Sequence, residues 1–193
     1  MLKDLIRKNR SYRRFEQDYQ IDLDTLRELV DLARLSASAS NRQALRFILS
    51  ADPEVNAKIF STLAWAGFLT DWPGPAEGER PSAYIIILHD TDLTPSIGCD
   101  HGIAAQSIML GATEKGLGGC MIGSVQRATL HELLSIAEHY EIMLVLALGK
   151  PNEKVVIEPL ASHADFEYWR DEQSVHHVPK RALEDLIVES YGE

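Results

Sequence analysis

The chain has 193 residues, 45% of them apolar, which suits one compact domain (1–193) with a buried core. Its formal net charge of −10, with no basic stripe through its interior, excludes general nucleic-acid binding. No run approaches the roughly 18 apolar residues that cross a bilayer; MLKDLIRKNRS has no apolar signal region and Cys99 and Cys120 are too few for a disulfide framework, so a soluble, reducing, cytoplasmic setting is expected.

Residues 2–9 read as a short helix leading into a basic turn. Asp22 or Asp24 can cap a second helix, whose Leu26, Leu29, Val30 and Ala33 follow helical spacing. Leu45–Ala51 reads as a strand, and Asp52-Pro53 offers a cap and first-turn proline for a helix near 53–63. Residues 70–81, TDWPGPAEGERP, form an exposed loop or lid. Tyr84–Leu88 is a continuous apolar run, the mark of a strand covered on both faces. A helix near 99–115 is apolar on most sides, hence central, and glycines stop it at GLGG, 116–119. Arg127–Ala137 reads as helix, Glu141–Leu148 as another buried strand, and Lys180–Ser190 as a closing helix. Helices and strands interleave without regular alternation, which predicts an α+β fold with a mainly antiparallel central sheet covered by helices.

Several motifs nearly match and fail. GLGGCMIG puts Met121 where a dinucleotide fingerprint needs its last glycine, and it follows a helix rather than a strand. His131-Glu132 opens like a zinc-protease motif, but Ser135 stands at the second histidine position; His176-His177 has no third ligand at a helpful spacing, so no metal is expected. With no nucleophile elbow and no phosphate loop with lysine, a cofactor must carry any chemistry.

Charge is concentrated at the two ends. Six basic residues lie in the first fourteen positions and Lys180-Arg181 follows Pro179, within an otherwise acidic chain. Such cations can gather around one anion, for instance a phosphate; solvated surface is the plainer reading. Four segments carry the pattern. Asn9-Arg10-Ser11-Tyr12-Arg13-Arg14-Phe15 offers guanidinium forks and a hydroxyl, or else a helix end whose cations offset its dipole. Ser36 to Gln43, SASASNRQ, combines small residues with Asn41 and Gln43, suited to the edge of a pyrimidine-like ring; it also reads as an ordinary polar connection. Gly116 to Ser124, GLGGCMIGS, lets backbone N–H groups face a ligand, or is a helix stop followed by a short buried strand. Val178-Pro179-Lys180-Arg181 would open the last helix, a ready anion site.

In this order the four segments resemble the signatures of the flavin-dependent nitroreductase family: RRSxRxF, PSxxNxQPW, GLGxxxxG after a long helix, and a closing PKR. The matches are Arg10-Ser11-Tyr12-Arg13-Arg14-Phe15; Ser38, Asn41 and Gln43; Gly116-Leu117-Gly118 with Gly123; and Pro179-Lys180-Arg181, spread over essentially the whole chain. Asn9 stands where the pattern has its first arginine, Ala37 where it has proline, and Ala44-Leu45 where it has proline-tryptophan.

The resemblance implies FMN bound without a covalent link, at the interface of an intertwined homodimer whose sites are shared. It implies that Arg10 and Ser11 hold the phosphate or ribityl chain, with Lys180 and Arg181 completing the cradle. Arg13 would stand at the flavin N1/O2 edge as an electrostatic stabiliser. Ser38, Asn41 and Gln43 of the partner copy would meet the pyrimidine side, and the backbone of Ile122, Gly123 and Ser124 would lie by N5. The implied activity is an NAD(P)H-dependent, ping-pong oxidoreductase that reduces electron-poor small molecules, nitroaromatics or quinones, without an essential side-chain base. The Trp65–Trp72 segment and the loop through Pro81 would select substrate, or simply pack. Other reactions on the same fold, dehalogenation or flavin fragmentation, and a non-catalytic module for a flavin or phosphate ligand remain alternatives.

Overall fold

The computed structural model describes residues 1–160 and 166–192. They sort into two compact units: Met1–Trp65 with Pro73–Asn152, and Ala66–Trp72 with the chain after Asn152.

The first unit runs α1 (Leu2–Lys8), β1 (Phe15–Glu16), α2 (Leu23–Arg34), β2 (Leu45–Ser50), α3 (Pro53–Ser61), β3 (Ala83–Asp90), α4 (Asp100–Glu114), β4 (Gly118–Ile122), α5 (Arg127–Leu133) and β5 (Tyr140–Pro151). The predicted caps start two helices: Asp22 accepts from Thr25 N–H at 2.7 Å, and Asp52 from Val55 N–H at 2.9 Å with Pro53 as first helical residue. The long strand β5 organises the sheet. β3 pairs along one edge, with β2 beyond it; β4 and then β1 pair along the other, and every ladder is antiparallel. β3 is buried along its whole length, as its unbroken apolar run requires.

Helices α2 and α4 cover one face. Leu26, Leu29, Ile85, Ile87, Ile108, Met109, Leu146 and Leu148 form the core between them and the sheet. Gly111 permits the close approach of the two helices, because a Cβ there would run into the Leu32 side chain. Although α4 reads as apolar on most sides, it buries one side only: Ala104, Ala105, Ile108 and Ala112 are inside, whereas Gly102, Ile103 and Gln106 are exposed.

The second unit holds a three-stranded sheet of β6 (Val155–Pro159), β7 (Trp169–Arg170) and β8 (His176–Lys180), with β8 in the middle, parallel to β6 and antiparallel to β7. The expected closing helix over Lys180–Ser190 does not form. Lys180 ends a strand, and the chain beyond makes only a turn, Leu186 N–H to Leu183 carbonyl at 3.1 Å. Leu183, Leu186 and Ile187 are 65%, 63% and 49% exposed, so they find no apolar surface to pack on. A helix shorter than about 12 residues does not hold without one.

Candidate functional site

The N-terminal basic segment is stitched to β4. Ser11 makes a parallel bridge to Gly119, and Tyr12 N–H donates to the Gly119 carbonyl at 2.9 Å. The Tyr12 ring covers Gly118, where a Cβ would come within 2.5 Å of it and 2.6 Å of Pro151. At Gly119 a Cβ would collide with the Ala147 carbonyl of β5. The glycines of the GLGG stop thus serve first to let Tyr12 and β5 close on β4. The helix stop and short strand read from that segment are observed at 116–122, and Gly116 turns the chain with φ +74°.

This stitching fixes the cations. Arg10 donates from Nη2 to the Ile6 carbonyl at 2.6 Å, while its buried Nε has no partner among the described residues. Arg13 is 9% exposed and donates from Nη1 to the Ser11 carbonyl at 3.3 Å. Arg14 is turned away into an ion pair with Glu79, its Nε 2.9 Å from Oε2. The strand then leads to Ile122, which is buried, and to Gly123 and Ser124, which are exposed. Gly123 has open space beside it, a Cβ there meeting only Leu144 at 3.9 Å.

The Ser38–Gln43 segment lies elsewhere, at the start of α4. Asp100, 5% exposed, takes Ser38 Oγ–H at 2.8 Å and the Ala39 N–H at 3.0 and 3.1 Å. Ser38 Oγ in turn accepts from Gln43 N–H at 3.0 Å, closing a tight turn. Within it Ser40, Asn41 and Gln43 hold φ of 52°, 52° and 51°, the left-handed region that non-glycine residues avoid. Such strain concentrates at ligand clamps and persists only where the surroundings enforce it. A cavity of about 190 Å³ opens beside this turn, lined by Ser38, Gln43, Phe47, Asp100 and Ala104 among others.

One chain therefore brings together Arg10, Ser11 and Arg13 with the strand leading to Ile122, Gly123 and Ser124, and holds Ser38, Asn41 and Gln43 apart. Met109 touches the Gly119 end and Asp100 the Ser38 end; they stand nine helical steps apart, about 13 Å along the helix axis. Lys180 and Arg181 lie in the second unit, both exposed, at the end of β8. They do not open a helix, so no helix dipole assists an anion there.

Sequence reasoning missed Asp100 and Glu79. An acidic residue at the start of an apolar helix is the signal that could have found the first; Glu79 sits in an irregular loop that carries no periodicity. His177 is an ion-pair centre: its Nδ1 stands 2.8 Å from Glu158 and its Nε2 3.2 Å from Asp171, with the ring stacked on Trp169 at 3.8 Å. Burial pulls its pKa down, but the two carboxylates outweigh it and hold the imidazolium above the ordinary value. Among the described residues Asp90, Asp92 and His139 present ligand-type atoms within 4.8 Å of one another, and Asp90 is already ion-paired with Arg46 at 3.2 Å. No described helix is long and apolar enough to cross a membrane.

A family model described as the nitroreductase family matches residues 6–150. The NADPH-flavin oxidoreductase of Vibrio harveyi is 35% identical over 71 residues, which cover 36% of this chain and 30% of that protein. The crystal structure of a nitroreductase family protein from Streptococcus pneumoniae superposes with a TM-score of 0.73 at 18% identity, covering 99% of this chain and 100% of that one. An FMN-dependent nitroreductase from Clostridium difficile superposes at 0.63 with 21% identity, covering 78% and 87%. At these identities the structural likeness establishes the fold.

Proposed function

The chain belongs to the nitroreductase family, and from that premise we propose that it is a flavin oxidoreductase that holds FMN and draws on NADH or NADPH. The observation that carries this reading is the stitching of the cationic segment onto the glycine strand through Ser11, Tyr12 and Gly119. A cationic turn with a hydroxyl is thereby fixed beside a strand that ends at an unobstructed glycine.

The residues suit the group. Arg10 carries a buried Nε without a partner among the described residues, a donor for phosphate or ribityl oxygens, with the Ser11 hydroxyl beside it in sequence and exposed. Lys180 and Arg181 supply further cations, and one phosphate cradle without a Rossmann turn favours FMN over FAD. Arg13, largely buried, holds its guanidinium in a fixed position, where its interaction is worth more than in water. The chemistry supplied by bound FMN is hydride transfer at N5, in from the nicotinamide and out to an electron-poor acceptor such as a nitroaromatic or quinone.

The protein's own part is to bind, orient and limit access. Ile122, Gly123 and Ser124 present backbone without a side-chain obstruction at Gly123. Ser38, Asn41 and Gln43 present hydrogen-bonding groups from a turn already bent into shape, and their distance from Gly119 within one chain supports a site shared between two copies. Ile103 on the exposed face of α4, with Leu2 and Ile6 at one end of the chain and Leu183 and Ile187 at the other, supplies apolar surface for such a homodimer. The chain's free cysteines, Cys99 and Cys120, suit a reducing, cytoplasmic setting.

The test is the visible spectrum of the freshly purified protein, before and after NADH or NADPH under nitrogen. Flavin bands that bleach with the nicotinamide are expected. A protein without flavin bands after FMN is supplied and the mixture desalted would refute the proposal and leave a binding module for another ligand.

A further inference from the structure

The approach to β3 places Arg80, Ser82 and Tyr84 at alternate positions. All three line a cavity of about 290 Å³ in the first unit, Arg80 and Ser82 from the bent chain that leads into the strand and Tyr84 from the strand itself. Three buried polar atoms on this lining have no hydrogen-bond partner among the described residues: Arg80 Nε, Ser82 Oγ and Tyr84 Oη. Tyr84 is 1% exposed, and burial raises its phenol well above the ordinary value, so it stays a neutral donor. The polar neighbours are committed elsewhere. Asn56 accepts from Ser50 and donates to the Ser82 carbonyl, both at 2.7 Å; Gln17 accepts from Gly78 and Arg80 N–H at 2.8 and 3.1 Å and donates to Glu77 at 2.7 Å. Unmet buried donors are costly, and three grouped on one lining call for an acceptor.

Charge decides which acceptor. Arg80 Nη1 is already held by Glu77 at 2.8 Å, and Asp18 lies on the same lining. An entering carboxylate would be repelled by both acids, whereas a neutral carbonyl would not. The Arg80 guanidinium lies over the Phe60 ring at 4.5 Å, and Pro53 and Ala57 continue this wall, which suits a flat ring. The structure assigns to this cavity a binding site for a small, neutral, carbonyl-bearing ring compound such as an aromatic amide. Tyr84 O–H, Ser82 O–H and Arg80 Nε–H, all three closed off behind the lining, hold its carbonyl once the Arg80 side chain swings aside. The cavity contains none of the residues assigned to flavin, so the inference stands apart from the proposed activity.

The experiment is saturation-transfer NMR with benzamide as probe, on the full chain supplemented with FMN. Benzamide should bind, and benzoate should bind about fivefold or more weakly. Tyr84→Phe removes only the hydroxyl; it should weaken benzamide about fivefold, the worth of one hydrogen bond, and melt no lower than the wild type. Ala57→Phe, on exposed helix α3, should block the cavity without altering β3. The assignment is overturned by the absence of a benzamide signal on the wild type, by a signal unchanged in both variants, or by benzoate binding as tightly as benzamide.

Discussion

Replacing Asp100 by alanine tests whether the Ser38–Gln43 turn is held in shape for a ligand. The carboxylate accepts from two groups, Ser38 Oγ–H at 2.8 Å and Ala39 N–H at 3.0 Å. Hydrogen bonds to a charged partner contribute about 1.5–3 kcal/mol each, about 3–6 kcal/mol for the pair. Against this, Ser40, Asn41 and Gln43 sit in the left-handed region, which costs about 1–2 kcal/mol per residue, again about 3–6 kcal/mol. The two effects are matched, so the turn keeps its form only while Asp100 holds it. Ala39 to Gln43 are exposed, and in Asp100→Ala their freed groups can reach water. The turn should therefore relax while the fold survives.

If water recovers all but about 2 kcal/mol of this loss, the competent turn is left in about one molecule in thirty, and apparent flavin affinity falls by the same factor. Hydrogen exchange of the amides at 39–43, alongside a titration of flavin fluorescence, measures both. Lost protection at 39–43 with a flavin affinity lowered about thirtyfold is expected. If the urea midpoint falls while protection and flavin affinity are unchanged, Asp100 is a helix-start anchor without a part in the site.

Gly119→Ala should destabilise more than Gly118→Ala in urea unfolding. The first sets a Cβ against β5 backbone that cannot move aside, the second against the Tyr12 and Pro151 rings, which yield at the usual overpacking cost of about 1–3 kcal/mol; equal midpoints would count against the stitching of β4. For His177, burial opposes the charged form but Asp171 and Glu158 win, so the folded pKa lies above the ordinary 6.5. The stability this adds is complete below pH 6.5 and lost as pH rises through the folded value; NMR titration of the ring and melts across that window should show it, and His177→Gln should flatten the slope. Arg181→Ala should lower flavin retention several-fold or more, by about 1.5–3 kcal/mol, whereas Arg13→Ala should slow reduction by NAD(P)H more than it loosens binding; equal occupancy in the first, or a change of affinity alone in the second, would reverse those roles.

The antiparallel sheet and its helices were legible because their signals are local. Asp22 and Asp52-Pro53 announce helix starts, the run from Tyr84 to Leu88 announces a covered strand, and Gly116 ends α4 where its positive φ demands glycine. The tail was misread for the complementary reason. Leu183, Leu186 and Ile187 have helical spacing, but spacing creates a helix only where something covers it. The second sheet escaped notice because β7 is two residues long and β6 alternates imperfectly. At the site, residue types were legible and juxtaposition was not. Nothing in the order of residues says that Gly119 serves Tyr12, that Asp100 holds Ser38, or that the left-handed turn falls on serine, asparagine and glutamine without a glycine.

That separation of the two halves along α4 bears on assembly. About 13 Å of helix lies between the Ser38 turn and the Gly119 junction, and the side of α4 between them leaves Ile103 38% exposed. An antiparallel second copy laid on that face would bring its own Ser38 end opposite the first copy's Gly119 end, and the loose apolar ends, Leu2 and Leu183 at 62% and 65% exposure, would gain a surface to cover. Flavin held across such an interface binds only the assembled state, and so stabilises assembly and fold together. Sedimentation should then show a dimer whose melting temperature rises with added FMN and with protein concentration. A monomer that binds FMN tightly, with a melting temperature indifferent to dilution, would show that one chain completes the site by itself, and the shared-site reading would fail.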